Sequence, residues 1–214
     1  MTLKPLTSFS AVIFDLDGVL IDSMPSHVQA WQEVFQKLGI HLPADEIRMH
    51  EGEKAKITIR RFVRKHNLTL SDGELDELIA RKRQIYRTMA PQGLRPNARV
   101  FVESVRHKGI KTAIVTGSVR TNLDWTLNAS EQALFDVIVT SELCEQGKPH
   151  PEPYLKAARE LEVLPDRCLV IENAPLGIRS AKAAQMTCLA ITTTLPAEML
   201  QEADFILPDL EHWN

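Results

Sequence analysis

The amino-acid sequence predicts an α/β protein with a parallel-sheet core that is interrupted by a block of helices. Two observations predict the core: short apolar, β-branched runs recur without polar alternation, and segments with helical patterns separate them. Strands that are covered on both faces have such continuous apolar runs. A third observation predicts the insertion, because the chain between the first two runs contains no convincing strand. We therefore expect a doubly wound core at residues 1–21 and 92–214 and an α-helical cap at 22–91.

The predicted strands of the core are the apolar runs themselves. They are residues 11–15, 111–117, 136–141, 168–173 and 187–193, with a weaker run near residue 204. Helical patterns predict core helices at residues 98–109, 121–129, 151–163 and 176–185. Gly109 stands at the end of the first of these helices, where glycine commonly stops a helix. Because strands and helices alternate, we expect a Rossmann-like sheet that binds its ligand at the carboxyl ends of the strands.

Three segments of the predicted cap have helical patterns. Residues 25–39 carry apolar side chains three or four positions apart, which form one stripe along a helix. The segments 53–67 and 71–90 are also predicted helices. In the second of them Ser71 and Glu74 have the spacing of a capping box, so we expect that helix to begin there.

Composition and charge disfavour several classes of protein. The chain has 214 residues and a formal net charge of -3, and it has no basic stripe of the kind that binds nucleic acid. It has no apolar run of membrane length, and its first residues lack the apolar segment of a signal peptide. Its three cysteines are far apart, which disfavours a zinc knuckle. We expect a monomeric, cytoplasmic protein without a nucleic-acid or membrane partner.

Polar side chains stand at or after the ends of four predicted strands, and these ends meet at one edge of a parallel sheet. In chain order they are Asp15 with Asp17, Thr116 with Gly117 and Ser118, Lys148, and Glu172 with Asn173. Carboxylate and amide oxygens suit Mg²⁺, whereas hydroxyl groups, backbone amides and an ammonium group suit phosphoryl oxygens. The sequence therefore predicts a site for a divalent cation and a phosphoryl group.

The four motifs around these residues resemble those of a known superfamily. In order they read DLDGVL, TGS, GKPHPEPY and IENAPLG. They resemble the motifs of the haloacid dehalogenase superfamily, in particular its β-phosphoglucomutase-like branch with a helical cap. The segments DSMPSHVQAW, MHEGE and ENAPLG are more similar to a phosphohydrolase lineage that includes an inorganic pyrophosphatase. The resemblance implies a Mg²⁺-dependent enzyme that acts on a small phosphorylated substrate.

The resemblance also implies catalytic roles. Asp15 would be the nucleophile that forms an aspartyl-phosphate, and Asp17 would be the general acid and then the general base. Thr116 and the backbone amides that follow it would hold phosphoryl oxygens, while Lys148 would neutralise Asp15 and the charge of the transition state.

The implied metal site shares residues with this catalytic set. Asp15, the main-chain carbonyl of Asp17, Glu172 and Asn173 would bind Mg²⁺, which would shield the repulsion between the first two carboxylates. Asn173 departs from the family pattern, because the branch usually has an aspartate there. Glu51, in the predicted cap, would restore the missing charge by reaching the metal.

Two further features concern the substrate. The mutases of the branch hold a second phosphate with a cap arginine after a glycine that matches Gly52, and no arginine occurs there in this chain. His27 falls where the family places a cap histidine near the active site. His27 and Lys82 are therefore candidates to contact the outward end of the substrate.

The favoured function is a phosphohydrolase for a small phosphorylated substrate, with inorganic pyrophosphate as one candidate. Two alternatives stay open, namely β-phosphoglucomutase activity and a catalytically silent protein that binds a phosphorylated metabolite. An assay with β-glucose 1-phosphate and a bisphosphate activator separates the first alternative from a hydrolase. A broad panel of phosphate substrates that includes pyrophosphate separates the second.

Overall fold

Six parallel strands form one sheet in the computed structural model, which describes residues 5–213. They are β1 (Ala11–Phe14), β2 (Lys111–Val115), β3 (Val137–Val139), β4 (Cys168–Glu172), β5 (Thr187–Ile191) and β6 (Phe205–Leu207). Their spatial order is β3-β2-β1-β4-β5-β6, so β1 lies inside the sheet between β2 and β4. The prediction of a parallel, Rossmann-like sheet is confirmed.

Helices occupy the chain on both sides of β2. Between β1 and β2 lie α1 (Met24–Gln36), α2 (Ala44–Met49), α3 (Ala55–Lys65), α4 (Asp72–Met89) and α5 (Pro96–His107). After β2 come α6 (Arg120–Thr126), α7 (Ala129–Gln132), α8 (Glu152–Glu160) and α9 (Pro175–Ala183). Gly109 follows α5 with a positive φ of 71°, as expected of a residue that stops a helix.

Strand β1 shows why the strands of this sheet are apolar throughout. Val12 and Phe14 belong to a hydrophobic cluster on one face of the sheet, which also includes side chains of α5. Ala11 and Ile13 belong to a second cluster on the opposite face, which includes side chains of α8 and α9. All four side chains are fully buried, so neither face of the strand meets solvent.

The helix ends differ from the predictions by up to three residues, and the number of helices differs in two places. The short helix α2 was not predicted, and the predicted helix 121–129 is divided into α6 and α7. The division occurs because Asn128 begins a new helix: its side chain accepts a hydrogen bond from the Glu131 backbone, and the Glu131 carboxylate accepts one from the Asn128 backbone. This capping box satisfies N–H groups at the start of α7 and stops α6 from continuing.

Helices α1 to α4 enclose a hydrophobic cluster that shares no residue with the two clusters of the sheet. Phe62 is fully buried there, with its ring centroid 5.6 Å from that of Phe35. Ser71 and Glu74 form the expected capping box at the start of α4. The division into a core at 1–21 and 92–214 and a cap at 22–91 stays a prediction, which this separate cluster supports.

Two expectations from composition can also be compared with the structure. Cys144, Cys168 and Cys188 are buried and form no disulfide. Within residues 5–213, no helix combines the length and the apolar character that spanning a membrane requires.

Replacing Phe62 with alanine tests whether the helical block is a unit of its own. We expect a loss of about 3–5 kcal/mol in the stability of that block, because the substitution leaves a cavity in a cluster that does not include the sheet. Hydrogen exchange followed by mass spectrometry should show faster exchange in α1, α3 and α4 and unchanged exchange in β1, β2 and β4.

Ile57→Ala is a matched control, because Ile57 lies on the same helix α3 and is 44% exposed. It should leave exchange in the block near that of the parent protein. Equal acceleration of exchange in the sheet and in the block after Phe62→Ala would contradict two separate units.

Candidate active site

The ends of β1, β2 and β4 bring the predicted site residues together at one edge of the sheet. Asp15 follows β1, Thr116 follows β2, and Glu172 is the last residue of β4. The turn after Asp17 needs glycine at position 18, where φ is +88° and a Cβ atom would lie 2.1 Å from Nδ2 of Asn173. The local backbone therefore allows the end of β4 to pack directly against the end of β1.

Lys148 is a buried cation between two carboxylates. Its Nζ donates to Oδ1 of Asp15 at 2.5 Å and to Oε1 of Glu172 at 2.6 Å, and it is 3.2 Å from the carbonyl oxygen of Val115. Burial alone would lower the pKa of Lys148, but the attraction of both carboxylates raises it above its ordinary value. The side chain therefore stays an ammonium group paired with Asp15, and its role in the reaction stays a prediction.

Every oxygen of the Glu172 carboxylate has a partner. Oε1 also accepts a hydrogen bond from the hydroxyl of Tyr154 at 2.7 Å, and Oε2 accepts bonds from the backbone N–H groups of Asn173 and Ala174. Glycine at position 177 makes room for it, since a Cβ there would lie 1.7 Å from Oε1. This arrangement fixes Glu172 as the support of Lys148, and a role as metal ligand stays a prediction.

Asp15 is 2% exposed, and one of its two carboxylate oxygens is unpaired. Its Oδ1 is held by Lys148, whereas Oδ2 has no hydrogen-bond partner within the described residues. Burial raises the pKa of Asp15 to about 8; Lys148 opposes this shift, and the charges of Glu172 and Asp17 add to it. A further positive charge next to Oδ2 would stabilise the ionised form, which is the form that a nucleophile requires.

Asp17 has a different environment and keeps its charge. Its Oδ1 accepts from the hydroxyl of Ser23 at 2.6 Å and lies 3.0 Å from Nε2 of His27, and its Oδ2 accepts from the hydroxyl of Ser118 at 3.0 Å. Burial works against ionisation, but the interactions with His27, Ser23 and Ser118 outweigh it and hold the pKa of Asp17 below its ordinary value. The two neighbouring aspartates thus have pKa values that are shifted in opposite directions.

A chain of hydrogen bonds extends from Asp17 into α4. Nζ of Lys82 is 2.5 Å from Nδ1 of His27, whose Nε2 faces Asp17. An ammonium group can only donate, so Nδ1 accepts and the hydrogen of the imidazole is on Nε2, pointing at Asp17. Burial and the charge of Lys82 lower the pKa of His27 and outweigh the opposite effect of Asp17, so His27 supports Asp17 as a neutral donor.

Glu51 reaches the site from the helical block, as predicted. Its Oε2 accepts a hydrogen bond from Nδ2 of Asn173 at 3.1 Å, and that same Nδ2 donates to the main-chain carbonyl of Asp17 and to Thr194. Burial and the charges of Asp15 and Asp17 raise the pKa of Glu51 well above its ordinary value. Glu51 therefore adds an acidic side chain to a place that already holds Asp15, Asp17 and Glu172.

Three buried oxygens in this group lack a hydrogen-bond partner within the described residues: Oδ2 of Asp15, Oε1 of Glu51 and Oδ1 of Asn173. Unpaired buried oxygens on charged or polar side chains are costly, and a hard cation such as Mg²⁺ would satisfy them. Among residues 5–213, no three His, Cys, Asp or Glu side chains converge as a metal site. The fit to Mg²⁺ thus depends on a mixed set of carboxylate and amide oxygens.

The loop of residues 51–54 lies directly on the core. A Cβ on Gly117 would lie 2.4 Å from the carbonyl oxygen of Gly52, so the two glycines allow a close approach of backbones. Nζ of Lys54 donates to the carbonyl oxygens of Cys144 at 2.5 Å and Glu145 at 3.0 Å. These contacts hold the loop, and with it Glu51, over the edge of the sheet.

The site opens into a cavity of about 390 Å³ between the sheet edge and the helices. The predicted site residues that line it are Asp15, Asp17, His27, Glu51, Lys82, Gly117 and Ser118. Thr116, Lys148, Glu172 and Asn173 are buried at the sheet edge and do not line this cavity. The Thr116 hydroxyl accepts a hydrogen bond from the backbone N–H of Ser118 at 3.0 Å, which shapes the turn after β2.

Several residues of the site were not predicted. Tyr154 is the last residue of the GKPHPEPY motif, so its position beside Lys148 had a signal in the sequence. Ser23 likewise lies in the DSMPSHVQAW segment. Lys54 had no such signal, because its partners are backbone carbonyls about ninety residues away.

With this geometry in hand, the chain can be compared with known proteins. A family model described as haloacid dehalogenase-like hydrolase matches residues 9–185. The protein belongs to this family. The order of the motifs, the parallel sheet and the placement of Asp15, Asp17 and Lys148 agree with that membership.

Two curated relatives and one solved structure of this hydrolase family illustrate the similarity. Validoxylamine A 7'-phosphate phosphatase of Streptomyces hygroscopicus subsp. limoneus is 31% identical over 206 residues, which cover 94% of each chain. Hexitol phosphatase A of Escherichia coli K12 is 29% identical over 201 residues, which cover 93% of this chain and 90% of the relative. A β-phosphoglucomutase from Clostridium difficile has a TM-score of 0.85 at 25% identity, covering 96% and 93%. The chain is an enzyme of the phosphatase type with a β-phosphoglucomutase-like fold.

Proposed function

We propose that this haloacid dehalogenase-like hydrolase is a Mg²⁺-dependent phosphohydrolase that forms an aspartyl-phosphate on Asp15. One observation carries the proposal: a buried carboxylate faces the cavity with one oxygen held by Lys148 and the other unpaired. Lys148 also positions that carboxylate, because Glu172 and Val115 hold the ammonium group in place. Asp15 is therefore oriented for attack on phosphorus.

The proposed metal ligands are the groups that surround the unpaired oxygens. Asp15, Glu51, Asn173 and the main-chain carbonyl of Asp17 would hold the ion, with Glu172 as a further candidate. When bound, Mg²⁺ supplies positive charge that reduces the repulsion between the carboxylates and the phosphoryl oxygens. The raised pKa values of Asp15 and Glu51 support a cation-binding role for this group, since both shifts come mainly from burial with nearby negative charge, which a bound cation would offset.

Asp17 is the proposed proton donor and acceptor. Its carboxylate lines the cavity two residues after the nucleophile, and Ser23, His27 and Ser118 fix its orientation. The lowered pKa of Asp17 leaves it ionised in the free site, so it would first take up the proton that a monoanionic phosphate substrate brings and pass it to the leaving oxygen in the first half-reaction. In the second half-reaction the carboxylate would take a proton from the attacking water. The neutral donor His27 and its partner Lys82 hold the carboxylate in place during both steps.

A small phosphorylated compound is the proposed substrate. The cavity of about 390 Å³ is at the lower end of the range for small-molecule pockets. Inorganic pyrophosphate stays a candidate, and the names of the two phosphatase relatives support organic phosphate monoesters of similar size.

The protein is further proposed to be a cytoplasmic monomer. Mutase activity has less support, because the segment after Gly52 lacks the expected arginine.

Replacing Asp15 with asparagine tests the covalent mechanism. The substitution keeps the shape of the side chain and removes the charge that attacks phosphorus, so turnover of an aryl phosphate should fall on the order of 10³-fold or more. Rapid acid quenching and mass spectrometry should detect a phosphorylated Asp15 in the parent enzyme and none in the variant.

Asp22→Asn is a matched control for this experiment, because Asp22 is exposed and lies seven positions further along the chain. It should retain parental turnover. Near-parental turnover of Asp15→Asn, with mass spectrometry showing that the asparagine had not deamidated, would falsify the covalent mechanism.

Replacing Asp17 with asparagine tests proton transfer. The loss of turnover should depend on the leaving group, since an alkyl alcohol must be protonated as it leaves and a nitrophenolate need not be. We expect the loss on a small alkyl phosphate to exceed the loss on p-nitrophenyl phosphate by about 10²-fold. Equal losses on both substrates would show that Asp17 has a structural role only.

A pair of substitutions tests whether Glu51 supplies the charge that Asn173 lacks. Glu51→Gln should weaken apparent Mg²⁺ affinity by about tenfold or more. Adding Asn173→Asp to that variant should restore much of the affinity, because the carboxylate returns to the same group of oxygens. Affinity is measured from Mg²⁺-dependent turnover and, independently, from the Mg²⁺-dependent rise in melting temperature. Unchanged Mg²⁺ affinity in Glu51→Gln by both measurements would remove Glu51 from the metal site.

A further inference from the structure

Four lysine and arginine side chains line the cavity, and their partners differ in a way that concerns the substrate. They are Lys54, Lys56, Lys82 and Arg83. A cation that is already paired inside the protein has little capacity left for a ligand, whereas an unpaired one at a cavity wall is available to an anion. The partners of each side chain therefore indicate which of them can bind the substrate.

The three lysines already have partners in the protein. Lys54 donates to the backbone carbonyl oxygens of Cys144 and Glu145. Lys56 forms an ion pair with Asp76, with Nζ 2.8 Å from Oδ1. Lys82 is bound to the His27 ring and also faces the ring of Trp31, with Nζ 5.4 Å from the ring centroid. Each of the three thus already donates at least one hydrogen bond or forms an ion pair inside the protein.

Arg83 differs from the three lysines. Among the described residues its guanidinium group has no ion pair and no hydrogen bond, although it is half-buried and lines the cavity. It also lies close enough to Lys82 to affect it: burial lowers the pKa of Lys82 to about 8, with Asp17 opposing and Arg83 adding to the decrease. Lys82 and Arg83 are thus two neighbouring cations that both line the cavity.

A polar side chain of the core lines the same cavity. Asn122 lies on α6, which packs against α4, the helix that carries Arg83. The residue is 6% exposed, and its Oδ1 has no hydrogen-bond partner among the described residues. A buried amide without a full set of partners is uncommon in the absence of a ligand.

We propose that Arg83 is a specificity-determining residue that binds a second anionic group on the outward end of the substrate, with the Asn122 amide on the wall of the same cavity. The inference rests on the proposed phosphohydrolase function and names the class of its substrate. That class is a compact molecule with a phosphoryl group at Asp15 and a second phosphate or carboxylate at Arg83. A guanidinium group suits this role, because its planar fork of N–H donors matches either anion with two hydrogen bonds.

This assignment changes the roles expected for His27 and Lys82. Both were candidates to contact the outward end of the substrate, but their polar atoms are bound to each other and to Asp17. His27 and Lys82 hold Asp17, the proposed proton donor, in place. Arg83, the next residue on α4, would instead bind the outward end of the substrate. The inner part of the cavity is rich in carboxylates, whereas this wall carries the unpaired cation.

The test compares two substrates in the presence of Mg²⁺, using Arg83→Gln and the control Arg81→Gln. Arg81 is exposed on the same helix and does not line the cavity. Pyrophosphate carries a second anionic group, and p-nitrophenyl phosphate does not. Arg83→Gln should raise KM for pyrophosphate by about tenfold or more, which corresponds to the loss of one charge-assisted hydrogen bond or more. KM for p-nitrophenyl phosphate should change much less, and Arg81→Gln should match the parent on both.

Calorimetric binding of pyrophosphate to Asp15→Asn and to the double variant Asp15→Asn/Arg83→Gln gives a second measurement that does not depend on turnover, because the first substitution removes the proposed nucleophile from both proteins. Weaker binding by about tenfold in the double variant would support the inference. Equal binding of pyrophosphate by both proteins, or equal increases in KM on the two substrates, would overturn it. Absence of turnover by the parent on every phosphate substrate would instead overturn the proposed function, and the binding comparison would still decide the role of Arg83.

Discussion

The buried ammonium group of Lys148 connects three parts of the chain that are far apart in sequence. It contacts Asp15 after β1, the Val115 carbonyl at the end of β2 and Glu172 at the end of β4. Neither carboxylate would be tolerated in this position without it, since the loss of one partner from a buried ion pair commonly costs about 3–5 kcal/mol. The relative positions of the three strand ends therefore depend on one side chain, and so does the orientation of the proposed nucleophile.

The packing around Lys148 extends this constraint to the helical block. A Cβ on Gly52 would lie 2.9 Å from Cδ of Lys148, so the loop of residues 51–54 rests on the lysine stem. The same loop carries Glu51 to Asn173 on the opposite side of the site. Core and helical block thus meet where the charges are most concentrated. The chemistry proposed for Asp15 depends on both.

Most of the sheet edge could be predicted from the sequence because each strand end carries a short motif of its own. The apolar run before Asp15 and the Glu172-Asn173 pair after another run were sufficient to place these residues together. Long-range contacts without a motif could not be predicted in this way. Lys54 meets backbone carbonyls, and backbone atoms leave no pattern in the residue types.

Helix α4 contains two sequence patterns that favour different environments for Lys82. Leu75, Ile79, Lys82 and Tyr86 are spaced four, three and four residues apart, and all four are buried. That spacing defines one face of a helix and places Lys82 on it. The basic run at residues 81–83, in contrast, is typical of a solvated helix face. The position of Arg83 at the edge of this face depends on how the helix packs against the core, which the sequence pattern does not give.

The two hydrogen bonds of Lys54 also have a kinetic consequence. Hydrogen bonds from a partly exposed lysine to backbone carbonyls contribute about 0.5–1.5 kcal/mol each after competition with water. Two of them favour the docked loop by roughly ten- to a hundredfold, which is enough to keep the loop in place during the reaction. Bonds of this strength also leave opening of the loop possible, since loop and lid motions in proteins occur on timescales from nanoseconds to milliseconds. Lys54 therefore favours the docked position of the loop without locking it there.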